Sequence, residues 1–494
     1  MKRYISHYIV KTALLMLPAS LMLTSCEDWL DVKPSTEIES SDLFANEQGF
    51  KDALNGVYIT ISSPSMYGRE MTYGFLDVIG SCYNSAGYNG TLSYAKNYDY
   101  KNASVEDVIN GIWERCFFSI ANINELLGKM EAADQKMFAP DNYNVIKGEA
   151  TALRAYLHFD LLRLFAKSYT AGADEPAIPY VTDYSFNVTP TSNVRETLGK
   201  IIDDLQKAAE LLRKSDPIVT GREITAITDE GYLLDRQFHM NYYAVVATLA
   251  RAYLYMNDYE NARRCATEVI NSGKFSWTKV ENIATASDAE RDRTFTPEQI
   301  FALQMDNLKS YVNSYVYGKY TVLLTISSYW LANIYPSSTH ATDWRYIYFI
   351  TNKDVDSYGR NYTSTKLWQE GMNEKYVKRM PMIRLSEMYL ILAECDIPNA
   401  AQQLNVIREH RGVTSEVKLN SEAELDDEIT REYYREFYNE GQMFYHYKRK
   451  DANMMFGGWN FSKVSFNKEK YVLPMPSEEI EFGNRNQEDK EQEQ

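Results

Sequence analysis

Apolar residues recur at helical spacing through the first half of the chain. Phe50, Leu54, Val57 and Ile61 lie three to four residues apart, which predicts one amphipathic helix. A longer run within residues 147–167 carries a single apolar stripe, formed by Ala150, Leu153, Leu157, Leu161 and Leu164. Residues 105–130 and 196–214 show similar periodicity, and we expect them to form the antiparallel partner of that helix and a third helix.

One segment fits a known helical repeat. LARAYLYMNDYENARRCATEVINSG, residues 249–273, matches the tetratricopeptide pattern at Leu249, Ala250, Tyr253 and Ala262. It departs from that pattern at Ala266, where a large aromatic residue is usual, and it lacks the closing proline. Together with the earlier helices it predicts a short block of helical repeats, whose own residues serve as a scaffold.

The pattern changes between about residues 275 and 378. This stretch has little helical periodicity and is rich in Tyr, Trp, Ser, Thr and Asn, as is a smaller patch at residues 81–100. Long irregular segments inside a compact protein are usually functional or disordered, and so many aromatic residues argue against disorder. Helical patterns return over residues 382–450, and a charged tail occupies 484–494. The prediction is a mainly α protein whose helix pairs support an irregular, loop-rich region for ligand binding.

The N-terminus has the features of an export signal. Lys2 and Arg3 precede an apolar run of 11 residues, 13–23, which spans about 16 Å as a helix and is too short for a ~30 Å bilayer core. Leu23, Thr24, Ser25 and Cys26 then follow in the order of a bacterial lipobox. We therefore expect residues 1–25 to be a signal peptide, Cys26 to be lipidated, and residues 26–46 to form an acidic linker. A plain secreted protein is the alternative.

Composition narrows the class of ligand. The net charge of −16 counts against nucleic acid and anionic lipid as partners, and it favours a neutral or cationic ligand. Tyrosine is abundant, with 39 residues against 20 Phe and 7 Trp. Tyrosine combines a flat apolar face with a hydroxyl group, which suits a surface that binds polar molecules. The cysteines beyond Cys26 are Cys82, Cys116, Cys265 and Cys395. They are too far apart in the sequence for a metal-ligand motif, and buried thiols are favoured over two disulfide bonds.

Catalytic motifs do not occur in the sequence. The six histidines form no HExxH, and neither a GxSxG elbow nor a phosphate-binding glycine loop is present. The chain has 68 carboxylates, and the two that catalyse hydrolysis in a glycosidase have no sequence signature. The residues alone therefore leave a glycosidase activity open. Asn352, Asp354 and Asp356 resemble the start of a calcium loop, but Thr363 replaces its closing glutamate, so we expect a solvated turn and no metal.

The order of several segments resembles the SusD/RagB family of outer-membrane lipoproteins from Bacteroidetes. The segments are CEDWLDVKPSTEI, ANEQGFKDALNGVY, GEATALRAYLHFDLLRLF, RLSEMYLILAEC, LNVIREHRG, NEGQMFYHYKR and YVLPMPSEEI. The resemblance implies one SusD-like domain over residues 47–483, with helical repeats mainly in 47–273 and 382–450. It also implies a non-catalytic protein without cofactors, anchored to the outer membrane by lipid only. Such proteins capture glycans for a TonB-dependent SusC-like transporter, and the RagB branch suggests peptides as the alternative cargo.

Four aromatic residues are the candidate ligand contacts. Sugar rings have apolar faces ringed by hydroxyls, so flat side chains stack on them while polar side chains bind the rim. Trp330 and Tyr329, in SSYWLANIYPSS, lead the set, and Tyr83 and Tyr88 follow. Core packing is the competing role for each of them. A pure interaction scaffold, with the aromatic region as packing, is a third class of function. TDWRY resembles a structural motif of the family, so Asp343 and Arg345 are expected to form a buried or half-buried ion pair.

Overall fold

The computed structural model describes residues 40–86, 90–316, 324–352, 361–418, 421–458 and 460–483. Residues 50–494 form one compact unit, and residues 1–49 form a second unit of which only the last ten are described. Cys26, Tyr88, Asp354, Asp356 and the tail 484–494 lie outside the described residues. The predictions made for them therefore stay predictions.

Helices dominate the first half of the described chain. They are α1 (Ser40–Leu43), α2 (Glu47–Ile61), α3 (Phe75–Ile79), α4 (Thr91–Lys96), α5 (Ala103–Ala132), α6 (Asn142–Phe165), α7 (Tyr169–Gly172), α8 (Val194–Ser215), α9 (Pro217–Thr220), α10 (Tyr242–Tyr255), α11 (Tyr259–Asn271) and α12 (Val280–Ile283). Side-chain caps start several of them. Asn193, for example, accepts from the backbone N–H of Glu196, and the Glu196 side chain accepts from the backbone N–H of Asn193.

The second half has shorter helices and returns to longer ones near the C-terminus. These are α13 (Leu308–Tyr315), α14 (Ser328–Ile334), α15 (Ser337–His340), α16 (Trp344–Phe349), α17 (Leu385–Cys395), α18 (Ala400–Glu409), α19 (Glu422–Phe437), α20 (Met443–Arg449) and α21 (Ser477–Phe482). Single 3₁₀ turns lie at Gln135–Met137, Thr228–Gly231, Arg236–Phe238, Asp288–Glu290, Thr296–Glu298, Glu374–Tyr376, Ile397–Asn399 and Lys468–Tyr471.

The long helices stack in sequence order. α5 packs on α6, α6 on α8, α8 on α10, and α10 on α11, and the stack then continues through α17 to α18. α6 is buried on nearly every side, because neighbours cover all of its faces. Gly148 allows the close approach of α8, since a Cβ at this position would lie 2.7 Å from Leu212 Cγ. The predicted helix of residues 147–167 and both of its predicted neighbours are confirmed.

The repeat-like pair is also confirmed. α10 and α11 pack against each other, with Ala250, Ala262 and Ala266 fully buried between helices. Small residues at these positions let the two backbones approach. The Tyr253 hydroxyl accepts a hydrogen bond from Gln206 Nε2 at 2.9 Å, which ties this pair to α8.

In the part of the chain that the structure describes, short strands form four small antiparallel sheets. The strands are β1 (Ser85–Ala86), β2 (Pro176–Pro179), β3 (Thr191–Asn193), β4 (Gln299–Gln304), β5 (Leu324–Ser327), β6 (Ile350–Asn352), β7 (Asn361–Ser364), β8 (Arg379–Arg384), β9 (Met454–Phe456) and β10 (Lys463–Ser465). The largest sheet has the strand order β1-β5-β7-β6, and the pairs β2–β3, β4–β8 and β9–β10 complete the set. The region 275–378 is thus less irregular than predicted. Its helices of four to eight residues are too short to show periodicity in the sequence.

A buried charge network connects the aromatic region to the C-terminal helices. Arg345 Nη2 lies 2.6 Å from Asp343 Oδ2, and both side chains are almost completely buried. The same guanidinium reaches Glu436 on α19 at 2.7 Å, and Glu436 also pairs with Arg384 and Arg411. The predicted Asp343–Arg345 ion pair is confirmed, and it belongs to a larger network than the sequence indicated.

The cysteines outside the N-terminal segment are free thiols. Cys82, Cys116 and Cys265 are buried, and Cys395 is partly buried. Among the described helices, none combines the length and the apolar character needed to cross a bilayer.

Candidate functional site

Two aromatic segments from different halves of the chain meet at the four-stranded sheet. β1 pairs with β5, with Ser85 opposite Thr325 and Ala86 opposite Leu324. The Asn84 backbone N–H extends this pairing by donating to the Thr325 carbonyl at 3.0 Å. The helix α4 contacts β1, and α14 follows β5 directly. Residues 81–86 and 90–100 of the first patch and the SSYWLANIYPSS segment therefore flank one sheet. We call this sheet with α4 and α14 the sheet site.

Trp330 is a buried residue of the sheet site. The Ser327 side chain caps α14 by accepting from the Trp330 backbone N–H at 3.3 Å. The Trp330 side chain is 3% exposed, and its Nε1–H donates to the Gly458 carbonyl at 2.8 Å. Its ring packs on Phe461, with 5.3 Å between the ring centroids. Trp330 offers no open ring face here, so the competing role of core packing describes it better than ligand stacking.

Tyr83 is also a packing residue. Its side chain is 1% exposed, and its hydroxyl donates to the Tyr73 carbonyl and accepts from Asn439 Nδ2, each at 2.9 Å. The Tyr438 ring lies edge-on, 5.2 Å away. Both the ring and the hydroxyl of Tyr83 contact protein groups in this conformation, which favours core packing over a stacking role.

Tyr329 and Tyr94 are the exposed aromatic residues of the sheet site. Tyr329, on α14, is 40% exposed although its neighbour Trp330 is buried. Tyr94 is 38% exposed, because Leu92 and Ala95 occupy the buried face of α4. The sequence analysis did not single out Tyr94. The buried–exposed pattern of TLSYAK could have indicated it, but six residues give too weak a period for a prediction.

Lys96 joins the two halves of the sheet site. Its Nζ donates to the Tyr83 carbonyl and lies 5.7 Å from the centre of the Trp330 ring, within cation–π range. Burial lowers the pKa of Lys96 to about 8. The ammonium group therefore remains largely charged at neutral pH, and it fixes α4 against α14.

The base of the sheet site is rigid and aromatic. Phe461 stacks on Phe456, with the centroids 5.0 Å apart and 10° between the ring planes, and Tyr434 meets Phe461 edge-on at 4.8 Å. This cluster connects α19 and the β9–β10 hairpin to Trp330. This packing fixes Trp330, which follows the exposed Tyr329 in the sequence of α14.

One group of side chains has the spacing of a metal site but not its charge. Possible ligand atoms of His340, Glu428 and Glu432 lie within 4.8 Å of one another. Both carboxylates already accept hydrogen bonds from Arg435, at 2.7 and 2.8 Å. Burial would raise the pKa of Glu432, but Arg345 and Arg435 outweigh it and lower the pKa to about 2. A cation would face these guanidinium groups, so the residues do not fit a metal.

His158 has a structural role. It is fully buried in α6, where its Nδ1–H donates to the Arg154 carbonyl and its Nε2 accepts from the Val181 N–H at 3.0 Å. Burial lowers the pKa of His158 to about 3, so the ring stays neutral at physiological pH. His158 is therefore a packing residue whose two ring nitrogens both have hydrogen-bond partners.

Fold and site together define a helical-repeat protein that carries an aromatic-flanked sheet beside its helix stack. Comparisons with known proteins identify the family. A family model described as "Starch-binding associating with outer membrane" matches residues 28–254, and the SusD family model matches residues 229–485. The chain belongs to the SusD family, as its sequence motifs predicted.

Solved structures show the same fold. A SusD superfamily protein from Bacteroides thetaiotaomicron matches with a TM-score of 0.69 at 24% identity, covering 88% of this chain and 98% of its own. A SusD-like carbohydrate binding protein from Bacteroides vulgatus also matches with a TM-score of 0.69, at 20% identity, covering 89% and 96%. The mainly α fold class is confirmed.

Curated relatives match over a shorter part of the chain. SusD-like protein P2 of Formosa agariphila is 25% identical over 263 residues, which cover 51% of this chain and 44% of the relative. SusD-like protein P38 of the same organism is 21% identical over 289 residues, covering 54% and 47%. The chain thus spans about half the length of the curated relatives that it matches.

Proposed function

We propose that this protein is a cell-surface glycan-binding lipoprotein that captures oligosaccharides at the sheet site and delivers them to a TonB-dependent SusC-like transporter. The observation that carries the proposal is the pair of exposed tyrosines, Tyr94 and Tyr329, on two helices that flank one sheet above a rigid aromatic base. The family description and the carbohydrate-binding neighbour from Bacteroides vulgatus support this ligand class.

The chemistry of the sheet site suits a neutral sugar. A tyrosine ring covers the apolar face of a sugar and its hydroxyl binds the rim, so Tyr94 and Tyr329 are each suited to contact one sugar unit. The net charge of −16 disfavours acidic polysaccharides over long range. Binding of this kind requires no bond cleavage, and we propose a role in capture without catalysis.

Attachment to the membrane follows from the N-terminal sequence. Lipidation of Cys26 would anchor the protein to the outer membrane, with the acidic segment 26–46 as a spacer. Several acyl chains on one cysteine give stable attachment, whereas one chain is marginal. Mass spectrometry of the membrane-extracted protein tests this step, because a lipidated Cys26 at the N-terminus adds the mass of its acyl chains and an unmodified terminus contradicts it.

The binding experiment uses the full lipoprotein, extracted in a detergent without sugar headgroups. Wild type is run in native gels that contain neutral plant or host polysaccharides, beside Tyr329→Ala, Tyr94→Ala and the control Tyr184→Ala. Tyr184 is an exposed tyrosine, 62% accessible, outside the sheet site. We expect retardation of wild type and of the control, and at least about tenfold weaker binding for the two site variants, which is ~1.4 kcal/mol.

Two results would overturn the proposal. Equal retardation of all four proteins would place the glycan elsewhere. No retardation by any polysaccharide, together with binding of peptides from a digest pool, would assign the protein to peptide capture instead. Release of shortened sugars from a bound oligosaccharide over hours would contradict the non-catalytic role.

A further inference from the structure

A cavity lies in the helical block, outside the four-stranded sheet, α4 and α14. It has a volume of about 640 Å³ and opens between the start of α11, the end of α17, the first turns of α19 and the end of α20. Sites for small molecules usually measure about 300–1,000 Å³. The cavity is therefore large enough for a short oligosaccharide.

Four of the five charged side chains that line this cavity form ion pairs with one another, and the fifth, Glu422, is exposed. Arg449 forms an ion pair with Glu394, and Lys450 forms one with Asp426. Burial would raise the pKa of Glu394, but the neighbouring charge of Arg449 outweighs it and lowers the pKa to about 2. Glu394 also accepts a hydrogen bond from the Tyr433 hydroxyl at 3.2 Å. A charged ligand would gain little binding free energy in this cavity, because it would have to compete with these ion pairs.

The same groups suit hydroxyls. Carboxylates accept hydrogen bonds, and ammonium, guanidinium and amide groups donate them. A sugar hydroxyl does both, so it can bridge a carboxylate and a neighbouring cation without separating the pair. Asn257 adds a further polar side chain, held by its hydrogen bond to Thr170 Oγ1 at 3.2 Å.

An exposed aromatic ring and an aliphatic surface complete the lining. Tyr259 is 45% exposed at the first position of α11, where Asp258 caps the helix by accepting from the Asn261 N–H at 3.1 Å. Ile397 is 45% exposed, and buried Leu425 and Ile429 of α19 also contribute to the lining. The ring is available to cover a sugar face, while the aliphatic groups exclude water from the other side.

We propose that this cavity, which we call the helical pocket, is a second carbohydrate-binding site, selective for short neutral oligosaccharides with Tyr259 as the stacking residue. The inference rests on the proposed function for its ligand class, but it uses none of the residues of the sheet site. Two sites on one protein would let a single polysaccharide chain bind twice. The second contact then becomes intramolecular, and polymer is held more tightly than either site holds a trisaccharide.

The test counts sites by titration calorimetry. The full lipoprotein, in a detergent without sugar headgroups, is titrated with maltotriose, xylotriose and laminaritriose. The variants are Tyr329→Ala, Tyr259→Ala, the double variant, and Ala423→Trp, which fills the helical pocket from its exposed edge. Tyr184→Ala is the matched control. For a trisaccharide that binds, we expect two equivalents with wild type and control, one with each single-site variant, and none with the double variant.

The outcomes separate this inference from the proposed function. If wild type binds one equivalent of trisaccharide, and Tyr329→Ala abolishes this binding while Tyr259→Ala and Ala423→Trp do not change it, the helical pocket is overturned and the sheet site is supported. If wild type binds one equivalent, and Tyr259→Ala and Ala423→Trp abolish this binding while Tyr329→Ala does not change it, the helical pocket is supported and the sheet site is overturned. Absence of trisaccharide binding overturns the helical pocket, while retardation on polysaccharide gels independently decides the sheet site.

Discussion

Glu436 is the centre of the buried charge network and the best place to test it. Its Oε1 accepts from Arg345 and Arg411, each at 2.7 Å, and its Oε2 accepts from Arg384 at 2.7 Å and from Arg411 at 3.0 Å. In the described part of the chain, the connected ion pairs contain six bases and six acids, so their formal charges balance. The bases are Arg345, Lys366, Arg384, Arg408, Arg411 and Arg435, and the acids are Glu298, Asp343, Glu428, Glu432, Glu436 and Glu440.

Glu436→Gln keeps the shape of the side chain and leaves one uncompensated positive charge in the core. Removing one partner from a buried ion pair typically costs 3–5 kcal/mol. Each arginine around Glu436 retains another carboxylate: Arg345 keeps Asp343, Arg384 keeps Glu440, and Arg411 keeps Glu298. We therefore expect the lower end of that range, a loss of about 3 kcal/mol in the free energy of unfolding.

The measurement is equilibrium unfolding in urea, followed by far-UV circular dichroism at pH 7. Glu210→Gln is the matched control, because Glu210 is an exposed glutamate within α8 and its replacement should change stability by less than about 0.5 kcal/mol. A loss below about 1 kcal/mol for Glu436→Gln would refute the view that this carboxylate holds the network together.

The pH dependence gives an independent check. Burial would raise the pKa of Glu436, but Arg411, Arg384 and Arg345 outweigh it and hold the pKa well below its ordinary value of 4.5. A depressed carboxyl pKa stabilises the fold above the ordinary pKa, and this contribution is lost as the pH falls through the folded-state pKa. The stability difference between wild type and Glu436→Gln should therefore be constant at neutral pH and shrink on acidification below about 4.5.

Three further predictions concern packing and burial. Trp330→Ala should destabilise the protein by about 3–5 kcal/mol in urea, because it empties a buried aromatic volume; a stable variant would mean that the ring is dispensable. Gly412→Ala should lower the thermal midpoint, since residue 412 has a φ of +76° and an added Cβ would lie 2.1 Å from Trp344 Nε1; an unchanged midpoint would contradict this packing. His158 should remain neutral down to about pH 3 in NMR titrations of histidine-labelled protein; a pKa near 6.5 would contradict its burial.

Periodicity predicted the long helices because each has enough turns to show its buried face. The stripe of α6 and the small residues of α10 and α11 could be read directly, and the order of motifs identified the family. The same approach failed at α14 and α16, which have seven and six residues. Elements of this length are fixed by caps such as Ser327 and by contacts with distant segments, and neither leaves a periodic pattern.

The position of the ligand site stays a prediction. The sequence analysis drew its candidate residues from the segments around Tyr83 and Trp330, and the β1–β5 pairing brings these two segments together. It did not indicate which rings face solvent, because exposure depends on neighbours far away in the chain. Trp330 is covered by Phe461 and by the loop at Gly458, and Tyr83 is covered by residues of the α19–α20 connection.

The charge network also has a consequence for biosynthesis. Arg345 and Arg384 are synthesised well before Glu436, so a chain that ends early contains the cations of the core without their central anion. In such a chain Arg345 keeps Asp343 but loses its contact with Glu436, as do Arg384 and Arg411, and loss of one partner of a buried ion pair typically costs 3–5 kcal/mol. The shortened chain would therefore stay open to proteases. The core around Arg345 and Arg384 therefore depends on a residue near the C-terminus, and it is complete only after α19 has been synthesised.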